Sequence, residues 1–215
     1  MLVANAPAGG DASRFGGHRL GIGAQGTNPG AAPIFELDRG WVSFGADAQL
    51  LVPADALVAI CKAGGERAAR DLGRSIGEAA GRRLAARQKP DEGAAFAVAI
   101  DALGAEIGWL GLGLLVAERW GRALVLRIDG GPLSIGDETE ALLSGIVEGA
   151  LEAWTGRTAH AIVIDRTVGR IRVLVGGPRA VGLAQALVQS GADHHEVIRR
   201  LHDGEPKPTS SRSLR

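Results

Sequence analysis

The segment from about Glu138 to Trp154 constrains the fold more than any other stretch of this chain. Leu142, Ile146, Gly149 and Ala153 form one apolar row at helical spacing, and Leu143, Val147, Leu151 and Trp154 form a second. Glu140, Ser144, Glu148 and Glu152 leave only a narrow polar stripe. A helix that is apolar around most of its circumference is covered on both sides. The segment therefore predicts the central core helix of a small domain. Upstream, Leu112, Leu114 and Val116 alternate on one strand, and Leu124, Leu126 and Ile128 on the next. Between them Arg119-Trp120-Gly121-Arg122 predicts a short polar turn, with glycine free to take positive φ. Downstream, strands Ala161–Ile164 and Ile171–Val175 with a turn at Arg166–Arg170 predict a second hairpin. Two hairpins with a core helix between them predict an α+β fold whose four-stranded antiparallel sheet carries that helix on one face.

Long N-terminal helices precede this unit. Pro53 suits a first helical turn. Leu57, Cys61, Ala68, Leu72, Ile76 and Leu84 then keep a helical period to about Arg87, with Gly64-Gly65 placed to kink or split the helix. A second row, Gly65, Ala69, Gly73, Gly77 and Gly81, repeats every four residues. Glycine costs about 1 kcal/mol against alanine inside a helix. Such a row is either a compositional excess of small residues or a smooth face against which another helix backbone packs. Arg67, Arg70, Arg74, Arg82, Arg83 and Arg87 predict a solvated face pairing with Asp71 and Glu78. Lys89-Pro90-Asp91-Glu92 ends this helix, and Phe96, Ile100, Leu103 and Ile107 mark the next. Extra C-terminal helices are expected at Val181–Gln189 and, after an Asp193 to Glu196 capping box, up to about His202.

The 215 residues suit one domain with tails. Residues 1–33, rich in glycine and alanine, are expected to be a disordered extension. Residues 34–203 form the domain, residues 34–52 being an extended arm that carries Trp41 and Phe44, and 204–215 a solvated tail. Lys plus Arg and Asp plus Glu balance at 24 each, which gives no footprint for nucleic acid or an anionic membrane. No apolar run is long enough to span a bilayer, and no signal peptide is visible, so a cytoplasmic location is expected. The single cysteine, Cys61, excludes an internal disulfide and a cysteine-based zinc site, and its place on the apolar stripe predicts a core residue.

Candidate chemistry is sparse. Gly21-Ile22-Gly23-Ala24-Gln25-Gly26 matches a dinucleotide fingerprint in form, but Thr27-Asn28-Pro29-Gly30 breaks the helix that must follow. His195 and His202 are not at metal-ligand spacing, and a polar helix start accounts for them. None of the serines sits in a nucleophile elbow, and no phosphate loop is present. Glu148 and Glu152 read as neighbours on a solvent stripe. No catalytic residue, metal site or cofactor is expected.

Three stretches carry a family resemblance. Arg70-Asp71-Leu72-Gly73-Arg74-Ser75-Ile76-Gly77 with Gly81-Arg82-Arg83-Leu84 resembles the first long helix of the D-type accessory subunits of bacterial cellulose synthase. Glu106-Ile107-Gly108-Trp109 leading into Leu114–Glu118 resembles that family's entry into its sheet. Leu142–Gly149, closed by Trp154, resembles its next helix. The likeness covers roughly residues 48–176 and implies a non-enzymatic accessory subunit. Such subunits form an octameric ring of dimers that works with the other subunits of the cellulose synthase complex and guides nascent glucan chains. On this expectation Gly65, Ala69, Gly73, Gly77 and Gly81 form the oligomer interface, and Trp41 and Phe44 are candidate glucan contacts. The order of helices, hairpin, Gly-x-x-x-Gly helix and hairpin is also similar to the 4-vinyl reductase domain and its Bet3-type fold. That likeness implies an apolar pocket for a small ligand.

Overall fold

The computed structural model describes residues 18–20, 34–36, 41–44, 47–87, 94–120, 123–131 and 137–203. Among the described residues thirteen elements follow in chain order: β1 (His18–Leu20), β2 (Ile34–Glu36), β3 (Trp41–Phe44), β4 (Asp47–Gln49), α1 (Ala54–Arg87), α2 (Ala94–Trp109), β5 (Leu114–Trp120), β6 (Ala123–Asp129), α3 (Asp137–Thr155), β7 (His160–Thr167), β8 (Arg170–Gly176), α4 (Pro178–Gln189) and α5 (His194–Asp203). The fold is α+β, as the hairpin–helix–hairpin pattern predicts. The two hairpins join through β6 and β8 into an antiparallel sheet, ordered β5-β6-β8-β7. Strand β1 adds to its β5 edge. That strand lies inside the stretch expected to be disordered, and the rest of residues 1–33 and all of 204–215 lie outside the described residues.

Strand alternation divides the side chains between two cores. Leu115, Ala117, Leu126, Ile128, Ile171 and Val173 face α3 and join the main core with Leu142, Ile146, Val147 and Trp154. Val125, Ile164, Leu174 and Trp120 face the other way, where Ala184 of α4 and Val197 and Ile198 of α5 cover them. A register shift between Val163 and Asp165 bulges β7. Trp120 is therefore a core residue at the end of β5, not part of the polar turn. The second turn is also tighter than expected, since Gly169 at φ 73° leaves only Val168-Gly169 between β7 and β8.

Helix α1 breaks at Gly65, with φ 75° and ψ 177°. Its second half runs parallel to α3 at very short range. A Cβ on Gly73, Gly77 or Gly81 would lie 2.2, 2.1 or 2.3 Å from the carbonyl oxygens of Leu142, Ile146 and Ala150. From the other side, a Cβ on Gly145 or Gly149 would lie 2.2 Å from the Arg70 or Arg74 carbonyl. The small-residue row does admit another helix backbone, but that helix is the chain's own α3. Gly73, Gly77 and Gly81 are occupied by it and are not free to meet a second copy, Ala69 is buried as well, and Gly65 serves the break, where an added Cβ would meet nothing within 4 Å. The expected oligomer interface is corrected accordingly.

The expected arm, residues 34–52, holds three short strands. Strands β2, β3 and β4 pair into a small antiparallel sheet of their own, followed by the extended strap 50–53.

Candidate functional site

An open space lies beside the two pieces of α1 that meet at Gly65. A cavity of about 650 Å³ lies between the two halves of α1, the end of α2 and the strap. Leu72, Ile76 and Ala79 line it from the second half of α1, and Leu57 and Ile60 from the first. Trp109, Leu110 and Leu112 close one end, and Ile146 of α3 reaches the floor. Leu50, Leu51 and Val52 form the rim, with Val42 and Gln49 beside them. Several of these apolar side chains face solvent: Leu50 is 83% exposed, Leu51 69%, Ile60 56% and Trp109 42%. Exposed aliphatic and aromatic groups gathered around one opening make it a candidate binding surface.

Polar groups in the cavity are few. Ser75 is exposed and its hydroxyl donates to the Asp71 carbonyl at 3.1 Å. Glu106 is buried to 1% exposure and accepts from Arg83 Nε at 3.0 Å and from Arg87 Nη2. A carboxylate so deeply buried is tolerable only when paired and hydrogen-bonded, and the two arginines supply both. The cavity wall therefore combines a wide apolar surface with a locked ion pair at one edge, an arrangement suited to holding a molecule by shape and apolar contact.

Glu148 is also buried, not solvated. It accepts from Arg70 at 2.8 Å, from Arg74 at 3.1 Å and from the Ala161 backbone N–H at 2.9 Å. Glu152 accepts from Arg74 at 3.4 Å and from the Ala159 N–H at 3.1 Å. These carboxylates fasten α1 and the start of β7 to α3. Arg82 pairs with Glu78 and Arg67 approaches Asp71 on the surface as expected, but Arg70, Arg74, Arg83 and Arg87 reach across the fold instead.

On the far face of the sheet, Glu118 accepts from Trp120 Nε1 at 3.1 Å and holds Arg127 and Arg172, while Arg172 also pairs with Asp165. Here α5 folds back so that His194 and His195 stack 4.1 Å apart against the Trp120 ring. His202 Nε2 lies 2.9 Å from the Trp120 carbonyl. His194 and His202 are half-buried there, while His195 stays exposed. Burial pushes the His194 imidazole below its ordinary value, with nearby Asp165 opposing. The expected capping box is half formed. Asp193 accepts from the Glu196 N–H at 2.8 Å, while the Glu196 carboxylate turns to Arg199 and Arg200, which draw its pKa down to about 2.

Cys61 is buried as expected, and burial, with Glu138 adding to it, raises its thiol pKa. Trp41 and Phe44 belong to β3, but their side chains lie outside the described residues. The residues Gly73-Arg74-Ser75-Ile76-Gly77 do have the spacing of a nucleophile elbow, which corrects the expectation that no serine has it. Such an elbow needs a sharp strand-to-helix turn, and these residues lie within α1 with Ser75 bonded back to its own helix. Among the described residues no cluster of His, Cys, Asp and Glu is placed to hold a metal ion, and no helix is long and apolar enough to cross a membrane. The chain matches no protein-family model and none of the curated proteins compared with it.

Proposed function

We propose that this chain is a non-catalytic binding domain that holds a small apolar molecule in the cavity beside α1. The observation that carries this reading is the cavity itself: about 650 Å³, lined chiefly by aliphatic side chains and Trp109, and rimmed by exposed Leu50 and Leu51. Ligand pockets occupy about 300–1,000 Å³ and combine apolar walls with a few placed polar groups. The charged groups at the wall are engaged with one another, Glu106 with Arg83 and Arg87, which favours binding over turnover. The order of helices, hairpin, helix and hairpin, which resembles the 4-vinyl reductase domain, fits the same reading.

The neutral dye N-phenyl-1-naphthylamine, whose fluorescence rises in apolar surroundings, tests the reading. It is expected to bind the parent chain. Ala79→Phe, which places a ring in the cavity and narrows it, is expected to weaken binding by about tenfold or more without lowering stability. Equal binding by parent and variant, or none by either, would remove the pocket from the account.

A second reading, the ring-forming accessory subunit on a glucan path, keeps one support. The exposed Leu50, Leu51, Ile60, Trp109 and Leu114 would be covered by a neighbouring copy in a ring. It no longer draws on the glycine row, which α3 occupies. Light scattering separates the two: a large closed oligomer supports the ring, and a monomer or dimer that takes up the dye supports the pocket.

A further inference from the structure

Gly65 holds a backbone conformation, φ 75° and ψ 177°, that is essentially open only to glycine. Space does not explain the residue, because an added Cβ would meet nothing within 4 Å. Conformation does. The kink divides α1 into two helical pieces, so that rotation about one residue redirects the whole preceding piece, Ala54 to Gly64. That piece begins firmly: the Leu57 N–H donates to the Pro53 carbonyl at 3.0 Å, which ties the strap to the first turn.

The cavity straddles this break. Leu57 and Ile60 reach it from before Gly65, Leu72 and Ile76 from after. The angle at Gly65 therefore sets the width of the cavity. Ile60, on the piece that the glycine can redirect, and Leu50 and Leu51, on the strap tied to its first turn, stand exposed at its mouth. Val58 and Cys61, on the same piece, hold it down against the main core.

We infer that residues 50–64 are a lid hinged at Gly65, which lifts to admit the ligand and then folds Leu50, Leu51 and Ile60 over it. This rests on the pocket reading and states how access to that pocket is controlled. Lifting exposes Cys61, and closing over an occupant shields it. Few large side chains anchor the piece, so it opens without unfolding the sheet and α3.

The single cysteine makes the lid measurable in the unmodified chain. Alkylation of Cys61 by N-ethylmaleimide is timed in increasing low urea, and global stability is measured on the same protein by circular dichroism. The expected rate is at least about tenfold faster than global unfolding allows, and nearly independent of urea. A rate equal to that permitted by global unfolding, with the same urea dependence, would overturn the lid. Gly65→Ala supplies a second reading, since alanine fits the space but not the conformation. The variant is expected to keep its helix content yet bind N-phenyl-1-naphthylamine at least about tenfold more weakly. Binding within twofold of the parent would show that the break has no part in the pocket. If the parent does not bind the dye, the pocket reading fails, and the alkylation rate still decides the lid.

Discussion

Replacing Gly77 by alanine probes the contact on which the whole helical layer depends. The added Cβ would stand 2.1 Å from the Ile146 carbonyl oxygen and 2.8 Å from the Ala150 nitrogen. Even the closest ordinary C–H···O contacts have C···O separations of about 3.3–3.6 Å, so α1 and α3 must part by roughly 1 Å. Both obstacles are backbone atoms of a helix and cannot turn aside as a side chain would. The two helices are stiff, so parting at Gly77 also loosens the contacts at Gly73, Gly81, Gly145 and Gly149. Overpacking of this kind costs about 1–3 kcal/mol, occasionally more. Alanine returns about 1 kcal/mol of helix propensity. With five close contacts sharing the displacement, the cost lies at or above the upper end of that range, and the net loss is about 2 kcal/mol or more. For a chain of this size that lowers Tm by roughly 4–8 °C. Gly182→Ala is the control, because its site in α4 is exposed and its Cβ would meet nothing within 4 Å. That variant is expected to gain about 0.5–1 kcal/mol. Urea unfolding followed by circular dichroism measures both. If Gly77→Ala matches the parent or gains stability as Gly182→Ala does, the helices are not in backbone contact and the packing scheme fails.

Glu148→Gln leaves Arg70 and Arg74 without their buried counter-charge, while the amide oxygen can still accept from the Ala161 N–H. Breaking a buried pair costs about 3–5 kcal/mol, but both arginines are about one third exposed, so screening reduces the expected loss to about 2 kcal/mol by urea denaturation. His194 makes stability depend on pH. Its folded pKa lies below the ordinary value of 6.5, chiefly through burial, with His195 and Arg172 adding to the effect and Asp165 and Asp193 opposing it. Below pH 6.5 the unfolded chain takes up a proton that the folded chain refuses. The contribution is thus fully present above that pH, is lost as pH falls toward the depressed folded value, and then levels off. Thermal melts of the parent and His194→Gln check this: the parent's decline over that window is expected to be steeper than the variant's, and parallel curves would count against it.

The elements were legible because their signals are local. The apolar rows of α3 and the alternation in β6 and β8 follow from which side chains each face buries, whatever lies opposite. The four-residue spacing from Gly65 to Gly81 allowed either a compositional excess of small residues or a close helix approach, and α3 makes that approach at Gly73, Gly77 and Gly81. The pattern did not name the partner, since spacing on one helix carries no address. The missing clue was the matching Gly145 and Gly149, whose own four-residue step meets the Arg70 and Arg74 carbonyls in register. The arginines are hard to read for a related reason. Arg70 and Arg67 differ little in sequence setting, and only the return of α3, 78 residues on, turns Arg70 inward to Glu148. Trp120 looks like a turn residue in the sequence because α5, which covers it, arrives from the far end of the chain. The cavity was the least legible feature. A glycine pair at positions 64 and 65 signalled a break in α1, but the space is lined by residues from α1, α2, α3 and the strap together, and no local pattern brings those into view.

Amide NMR of the parent chain titrated with N-phenyl-1-naphthylamine is the most direct test of a cavity that binds an apolar guest. Saturable shifts are expected at Leu72, Ser75, Ile76, Ala79 and the Trp109 indole, with Trp120 and α5 on the far face of the sheet unmoved. Shifts confined to that far face, or none at saturating dye, would contradict the account.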